Sequence, residues 1–197
     1  YNYSKEYIIW SVEKSLKDLQ TDYLDLLLLH RPSPLMHPNE IAAAVSVLKE
    51  SGKILDFGVS NFSPSQLSLL DNKTAVSVNQ IEFSLTQHLA MHNGVLDQLL
   101  QKEILPMSWS PLGSFFKEAT KTNTRIKKVL DTFTKKYNAT EDQLLLAWIL
   151  KHPSGVIPVV GTTSKVRLQN AVKALDIELD LEDWFTLLVE CQGHKVP

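Results

Sequence analysis

Apolar residues recur at helical spacing near the start of the chain. Ile8, Val12, Leu16 and Leu19 fall on one helical face, and Ser4, a favoured N-cap residue, comes just before them. The pattern predicts an amphipathic helix that buries these four side chains.

A second pattern then repeats along the chain. The segment YLDLLLLH at residues 23–30 is a short, almost unbroken apolar run, which is typical of a parallel strand covered on both faces. Similar runs alternate with helical segments, and these runs are FGVSNF, VSVNQIEF, LPMSW and VIPVV. Such alternation predicts parallel βα units, in either a doubly wound open sheet or a closed barrel. No linker-like stretch divides the pattern, so we predict one domain over residues 1–197.

The later helices are marked by their caps. A capping box from Thr140 to Gln143 begins one helix, and Ser164 begins another. The second of these carries an apolar stripe that we predict to be buried, formed by Leu168, Val172 and Leu175.

Polar or stacking residues stand at the carboxyl ends of the five predicted strands. They are His30, then Ser60 and Asn61, then Gln80, then Trp109 and Ser110, and finally Gly161, Thr162 and Thr163. This edge is where α/β proteins bind their ligands. We therefore expect one binding site, formed by all five strand ends.

Each of these residues also has a structural explanation. A histidine after a strand often satisfies its ring nitrogens with loop carbonyls, and Ser60 with Asn61 equally fits a turn. Trp109 fits core filling as well as stacking on a flat ring. Gln80 favours a functional role, because an unpaired buried amide costs roughly 1–3 kcal/mol.

Composition narrows the function classes. The chain has 20 Lys and Arg residues against 22 Asp and Glu residues, so its net charge of −2 gives no basic surface for nucleic acid. Cys191 is the single cysteine, which excludes an intrachain disulfide and favours a reducing compartment, for which we take the cytoplasm. No apolar run approaches the roughly 18 residues of a membrane span, so we expect no membrane partner.

Two familiar kinds of binding motif are absent from the sequence. The remaining histidines form no HExxH or Cys/His spacing, so we expect no metal. No GxGxxG follows a strand, so a dinucleotide would have to bind without the usual glycine-rich loop.

Five motifs in order carry a specific resemblance. LDLLLLHRP, GKILDFGVSNFSPSQL, VNQIEFS, MSWSPLG and IPVVGTTSKVRLQNA are similar to consecutive signatures of the aldo-keto reductases, in particular the bacterial NADP-dependent oxidoreductases. The resemblance implies a (β/α)8 TIM barrel that binds NADPH and reduces an aldehyde or ketone. It also implies a monomer whose partner is a small carbonyl compound.

The resemblance assigns roles to individual residues. His30 corresponds to the catalytic histidine, and Arg31, Phe83 and Phe115 are candidates for the substrate pocket. The residues assigned to the cofactor, from the nicotinamide to the adenosine end, are Ser60, Asn61, Gln80, Trp109, Ser110, Leu112, Gly161, Thr162, Thr163, Arg167 and Asn170.

At several of these positions the residue can be compared with the one that is usual in the family. Trp109 occupies a position where the family more often has Tyr. Arg167 corresponds to the arginine that contacts the 2′-phosphate. At the adenine contact the usual acidic or amide pair is replaced by Asn170 and Ala171.

The family mechanism requires an Asp, a Tyr and a Lys besides the histidine. These three come from early strands, and the resemblance places the start of this sequence in the helix before the fourth strand. We therefore expect about three βα units to be absent, so the chain would be an N-terminally incomplete barrel. The alternatives are a non-enzymatic barrel subunit that binds nucleotide and a protein partner, and a doubly wound phosphate-binding domain.

Overall fold

The fold alternates helices and parallel strands along the chain. The structure is a computed structural model, and it describes residues 2–195. The helices are α1 (Lys5–Leu19), α2 (Pro38–Glu50), α3 (Pro64–Asp71), α4 (Val95–Gln101), α5 (Lys121–Lys136), α6 (Glu141–Leu150), α7 (Lys165–Val172) and α8 (Leu181–Gln192). The strands are β1 (Leu24–Leu29), β2 (Ile54–Ser60), β3 (Val78–Glu82), β4 (Leu105–Trp109) and β5 (Ile157–Pro158). Short 3-10 turns lie at Leu89–Met91 and Lys173–Asp176.

The chain divides into two compact units. The first comprises residues 1–81 and 94–106, and the second comprises residues 82–93 and 107–197. The chain passes from one unit to the other within β3 and within β4. A single domain over residues 1–197 stays a prediction.

The first unit contains a parallel sheet in the order β1, β2, β3 and the start of β4. In the register Gly58 lies between Leu28 on β1 and Val78 on β3, and Ser60 pairs with Gln80. β2 therefore ends level with Gln80, and β3 continues from there to Glu82. The start of β4 joins this sheet through the Leu105 N–H, which donates to the Ser77 carbonyl at 2.9 Å.

The helix predicted at the start of the chain is present, with two differences. Ser4 caps α1, and Ile8, Val12 and Leu16 are buried as predicted. Leu19 is exposed, because the helix ends there and Gln20 turns into the left-handed region at φ 55°. The prediction that β1 is covered on both faces was also wrong. Only Leu29 of β1 is fully buried, since β1 is the edge strand of this sheet within the described residues.

The core of the second unit lies around α6. This helix is apolar on almost every side and is buried from Gln143 to Ile149. The Trp148 ring stacks on that of Trp184 in α8, with the ring planes 4° apart and the centroids 4.8 Å apart. The indole N–H of each donates to the backbone carbonyl of the other, at 3.1 and 2.9 Å. This reciprocal pairing joins α6 to α8.

Two predictions for the second unit need correction. The predicted strand at residues 156–160 is reduced to Ile157–Pro158, which pairs with β4 through Met107 and Ser108. The stripe of Leu168, Val172 and Leu175 is 50%–68% exposed instead of buried. Within residues 2–195, no helix covers that side of α7.

The described helices are too short or too polar to cross a bilayer.

A first prediction concerns Gly58. A Cβ at this position would lie 2.6 Å from Leu28 Cδ2 and 2.7 Å from the Val78 carbonyl oxygen, so the three strands leave no room for it. Gly58→Ala should therefore lower the free energy of unfolding by about 1–3 kcal/mol, as overpacking does. Urea denaturation measures the change. Gly161→Ala is the control, because its Cβ would meet nothing within 4 Å, and an equal loss in both variants would contradict the prediction.

A second prediction concerns Cys191 on α8. Its thiol donates to the Leu85 carbonyl at 3.0 Å, and burial raises the pKa of the thiol to about 11. At pH 8 the thiol should stay protonated and unreactive, because only the thiolate attacks disulfide reagents. Labelling with Ellman's reagent at pH 8 should be slow in the native protein and fast in urea. Equal rates in the two states would show that the thiol is accessible.

Candidate functional site

The imidazole of His30 stands just after β1. It is exposed and borders a cavity of about 410 Å³ between α1 and β1, together with Tyr3 and Tyr7. The Tyr3 hydroxyl donates to the Arg31 carbonyl and accepts from the Arg31 N–H at 3.4 Å. The backbone beside His30 is therefore fixed by a residue that lies far away in the sequence. Within residues 2–195 the His30 ring itself makes no hydrogen bond, so its nitrogens are available to a ligand.

The ends of β2 and β3 bring three predicted residues together. Ser60 is 3% exposed, and its hydroxyl donates to the Gln80 carbonyl at 2.9 Å while accepting from the Asn61 side chain at 2.9 Å. The Asn61 N–H donates to the same Gln80 carbonyl at 2.8 Å. The Ser60 hydroxyl hydrogen is thus used within the protein, and only a lone pair remains for a ligand.

The amide of Gln80 differs from that of its neighbour Asn79. Asn79 is fully buried, and its side chain pairs with the backbone of Phe62, at 3.0 Å to the carbonyl and 3.4 Å from the N–H. Gln80 is half-buried, and its side-chain amide has no partner among the described residues. Asn79 is therefore structural, whereas Gln80 keeps its hydrogen-bonding groups available.

The loop after β4 packs against the side-chain hydroxyl groups of Ser84 and Thr86. Thr86 Oγ1 accepts from the Ser114 N–H at 3.0 Å. A Cβ on Gly113 would lie 2.0 Å from Thr86 Oγ1 and 2.5 Å from Ser84 Oγ, and its φ is +54°. Only glycine fits here, so the path of this loop is set by the two hydroxyl residues.

Five of the predicted cofactor residues line one cavity in the second unit. The cavity has a volume of about 350 Å³, and the five residues are Ser110, Leu112, Gly161, Thr162 and Arg167. They come from the loop after β4, the segment after β5 and the first turn of α7. Five of the eleven residues that the resemblance assigns to the cofactor therefore lie together in space.

Backbone conformation marks two of the strand ends. Asn61 after β2 has φ 58° and Ser110 after β4 has φ 50°, whereas the other described non-glycine residues with positive φ follow helices. The left-handed region costs a residue such as serine roughly 1–2 kcal/mol. Strain of this kind concentrates at functional sites, which supports Asn61 as a candidate site residue of the first unit and Ser110 as one of the second.

Arg167 is exposed and lies in the first turn of α7. Ser164 caps this helix as predicted, accepting from the Arg167 N–H at 3.4 Å. No carboxylate of residues 2–195 forms an ion pair with the guanidinium. Among the described residues, the cavity therefore contains a guanidinium that has no ion-pair partner.

Several predicted site residues lie elsewhere. Phe83 was wrongly assigned to the substrate pocket: it is 0% exposed and packs against Trp148 and His152 in the core. Phe115 lines a separate cavity with Lys127 and Glu141.

Three further residues of the predicted site lie outside the lining of the 350 Å³ cavity, and their roles stay predictions. Arg31 is exposed beside His30, while Thr163 is exposed and does not line the 350 Å³ cavity. Trp109 is half-buried at the end of β4 and likewise lies outside the lining of that cavity.

The Asn170 assignment also needs correction. Its side-chain nitrogen donates to Thr140 Oγ1 and Asp142 Oδ2, both at 3.0 Å, and its side-chain oxygen accepts from Gln143 at 2.9 Å. Asn170 does not line the cavity, although its neighbour Ala171 does. Its amide is engaged by α6 and the residue lies outside the cavity lining, so the structure gives Asn170 no support as the adenine contact.

Sequence reasoning missed two charged residues of this cavity, Lys117 and Asp142. Lys117 is exposed and borders the cavity. Asp142 was identifiable only as a first-turn residue of α6. Nothing in the sequence indicates that this turn faces the segment after β5.

Among residues 2–195 no three His, Cys, Asp or Glu side chains come together as a metal site requires.

Comparisons with known proteins agree with the motifs. The model of the aldo/keto reductase family matches residues 1–188. An uncharacterized oxidoreductase of Bacillus subtilis is 41% identical over 100% of this chain and 67% of its own length. An NADPH-dependent alpha-keto amide reductase of Saccharomyces cerevisiae is 30% identical over 87% of this chain and 57% of its own length.

A solved structure has the same fold. The crystal structure of a thermostable aldo-keto reductase with the inhibitor epalrestat matches with a TM-score of 0.84 and 27% identity, covering 95% of this chain and 67% of that chain. The likeness supports a (β/α) barrel, although the absence of three βα units stays a prediction. The chain spans about two thirds of the length of the first of these relatives. On the family match and these identities, the chain belongs to the aldo/keto reductase family, a family of oxidoreductases.

Proposed function

We propose that this protein is an NADPH-dependent oxidoreductase that transfers hydride reversibly between the nicotinamide and an aldehyde or ketone. One observation carries the proposal. Ser110, Leu112, Gly161, Thr162 and Arg167, which the sequence assigns to the cofactor, line a single cavity beside the ends of β4 and β5.

The groups around this cavity suit a phosphorylated nucleotide. Arg167 offers a planar guanidinium, which pairs with phosphate through charge-assisted hydrogen bonds, and Lys117 adds a second cation. Gly161 leaves its backbone open, since a Cβ there would meet no atom within 4 Å. These donors would hold the phosphates. The roles of Trp109, Gln80 and Asn61 at the nicotinamide rest on the family resemblance.

The bound nicotinamide would supply or accept the hydride, and His30 would act on the carbonyl oxygen. A neutral imidazole N–H can donate a hydrogen bond to that oxygen, which orients the carbonyl and stabilises the negative charge that develops. Tyr3 would keep this imidazole in place through the Arg31 backbone. The family mechanism assigns proton transfer to a Tyr with a nearby Lys and Asp, and we assign those roles to no residue described here.

His30→Ala should lower carbonyl reduction by on the order of a hundredfold or more, because the variant loses a donor that acts on the transition state. Cofactor affinity should hardly change. Steady-state kinetics and NADPH titration of the intact protein measure the two effects. His30→Gln, which keeps an N–H donor, should recover part of the rate.

Two other outcomes would change the assignment. Unchanged turnover in His30→Ala would show that His30 has a structural role and does not act on the carbonyl. Tight NADPH binding without turnover in the unaltered intact protein would favour the nucleotide-binding subunit instead.

Arg167→Ala should weaken NADPH binding about ten- to hundredfold and leave NADH binding nearly unchanged. A hydrogen-bonded contact to a charged phosphate contributes roughly 1.5–3 kcal/mol, and only NADPH carries the 2′-phosphate. Calorimetric titration with both nucleotides tests this. Lys165→Ala removes a cation from the same helical turn outside the cavity and should weaken neither nucleotide comparably. Equal weakening of both nucleotides by Arg167→Ala would refute the assignment.

A further inference from the structure

Asp142 places a carboxylate at the cavity that also contains Arg167. It lies in the first turn of α6, is half-buried, and borders the cavity together with Leu146 and Ala171. Its neighbour Glu141 points elsewhere, towards Lys127 Nζ at 2.8 Å and a different cavity. Of the two acidic residues in this turn, only Asp142 reaches the proposed cofactor site.

A closed set of hydrogen bonds fixes the orientation of this carboxylate. The Thr140 hydroxyl donates to Asp142 Oδ1 at 2.5 Å, and Asn170 Nδ2 donates to Asp142 Oδ2 at 3.0 Å. The second hydrogen of Asn170 Nδ2 goes to Thr140 Oγ1 at 3.0 Å. Thr140 has a single hydroxyl hydrogen, so each donor in this set has a defined acceptor.

Gln143 holds the set in place from the core. It is 5% exposed, and its side-chain nitrogen donates to Asn170 Oδ1 at 2.9 Å and to the Asn170 carbonyl at 3.0 Å. Its side-chain oxygen accepts from the Thr140 N–H at 2.9 Å. α6 and α7 are thereby locked together, and the network ends at the two oxygens of Asp142.

The carboxylate retains acceptor capacity. Each oxygen of Asp142 has about two lone-pair sites and receives one described hydrogen bond, so one site on each oxygen is left. A carboxylate is repelled by phosphate, and Arg167 is the natural phosphate partner in the same cavity. Of the groups that a nicotinamide nucleotide can present here, a hydrogen-bond donor such as a hydroxyl or an amine suits Asp142, and a phosphate does not.

The lining around Asp142 limits which donor this is. Leu146, Val160 and Ala171 present apolar surface to the same cavity, which suits the face of a flat base better than a ribose. The exocyclic amine is the donor on the edge of adenine. We propose that Asp142 accepts a hydrogen bond from this amine, taking the role for which Asn170 is unavailable. The inference rests on the proposed function, since it concerns the adenine of the same cofactor.

The test compares NADPH with its hypoxanthine analogue, nicotinamide hypoxanthine dinucleotide phosphate, by calorimetric titration of the purified protein. The analogue has a carbonyl in place of the amine, and a carbonyl oxygen is repelled by a carboxylate. Because hydrogen bonds to charged groups are the stronger ones, the unaltered protein should bind NADPH at least about tenfold more tightly than the analogue. In Asp142→Asn this preference should fall below about threefold, since an amide can also donate to the carbonyl.

Glu141→Gln is the matched control. It removes the same charge from the same helical turn, so it reproduces any effect of α6 charge or capping, but it leaves the cavity unchanged. It should keep the full preference for NADPH. If Glu141→Gln loses the preference for NADPH over the analogue as fully as Asp142→Asn does, the loss is caused by the change in charge of α6. That result would refute the proposal.

The remaining outcomes separate this inference from the proposed function. If the unaltered protein binds NADPH and the analogue equally, the amine contact is refuted without any variant, while nucleotide binding stands. If Asp142→Asn folds, as circular dichroism reports, and keeps the tenfold preference, the residue assignment is refuted. If the unaltered protein binds neither nucleotide, the proposed function and the inference fall together.

Discussion

Parallel pairing requires neighbouring strands to end at one edge of their sheet, and the candidate site in each unit depends on this requirement. In the first unit Ser60 pairs with Gln80, so the polar residue that ends β2 is adjacent to the polar residue in the middle of β3. This register needs Gly58, because any side chain there would push β1 and β3 away from β2. In the second unit Ser108 pairs with Pro158, which brings the loop after β4 beside the segment after β5. The 350 Å³ cavity is formed by these two segments together with α6 and α7.

Loops at such an edge must be fixed by side chains, since they have no regular backbone pairing of their own. Thr86 fixes the loop after β4, and Tyr3 fixes the residue beside His30. Asn170 and Gln143 fix the first turn of α6 against α7. Thr86, Tyr3 and Asn170 each lie outside the segment that they hold. The proposed binding groups are thus preorganised by contacts that do not involve the ligand, which lowers the entropic cost of binding.

The sequence predicted those features that depend on local pattern. Periodicity and caps located α1, α6 and α7, and the apolar runs located β1, β3 and β4 closely, whereas the run FGVSNF overlaps β2 only at residues 57–60. Arg167 and Gly161 could be assigned because a family motif spans both of them. The exposed stripe on α7 was mispredicted, because periodicity identifies an apolar face but not whether another element covers it.

The errors at the site have a common physical cause. Phe83 stands next to a strand end in the sequence, but alternation along the chain does not show which side faces the core, and its ring is buried against Trp148. Asn170 carries a chemically suitable amide, yet Gln143 and Thr140 occupy it from 27 and 30 residues away. Asp142 was missed for the same reason, since its position at the cavity follows from helix packing. Partners that are distant in the sequence decide which polar groups remain available.

The central claim is that the cavity beside β4 and β5 binds the phosphate-bearing part of a nicotinamide nucleotide. A crystal structure of the intact protein grown with NADP⁺ tests it most directly. The account predicts the 2′-phosphate within hydrogen-bond distance of the Arg167 guanidinium, with the rest of the nucleotide against Ser110 and Gly161. A nucleotide bound elsewhere on the protein, with this cavity filled only by solvent, would contradict the claim.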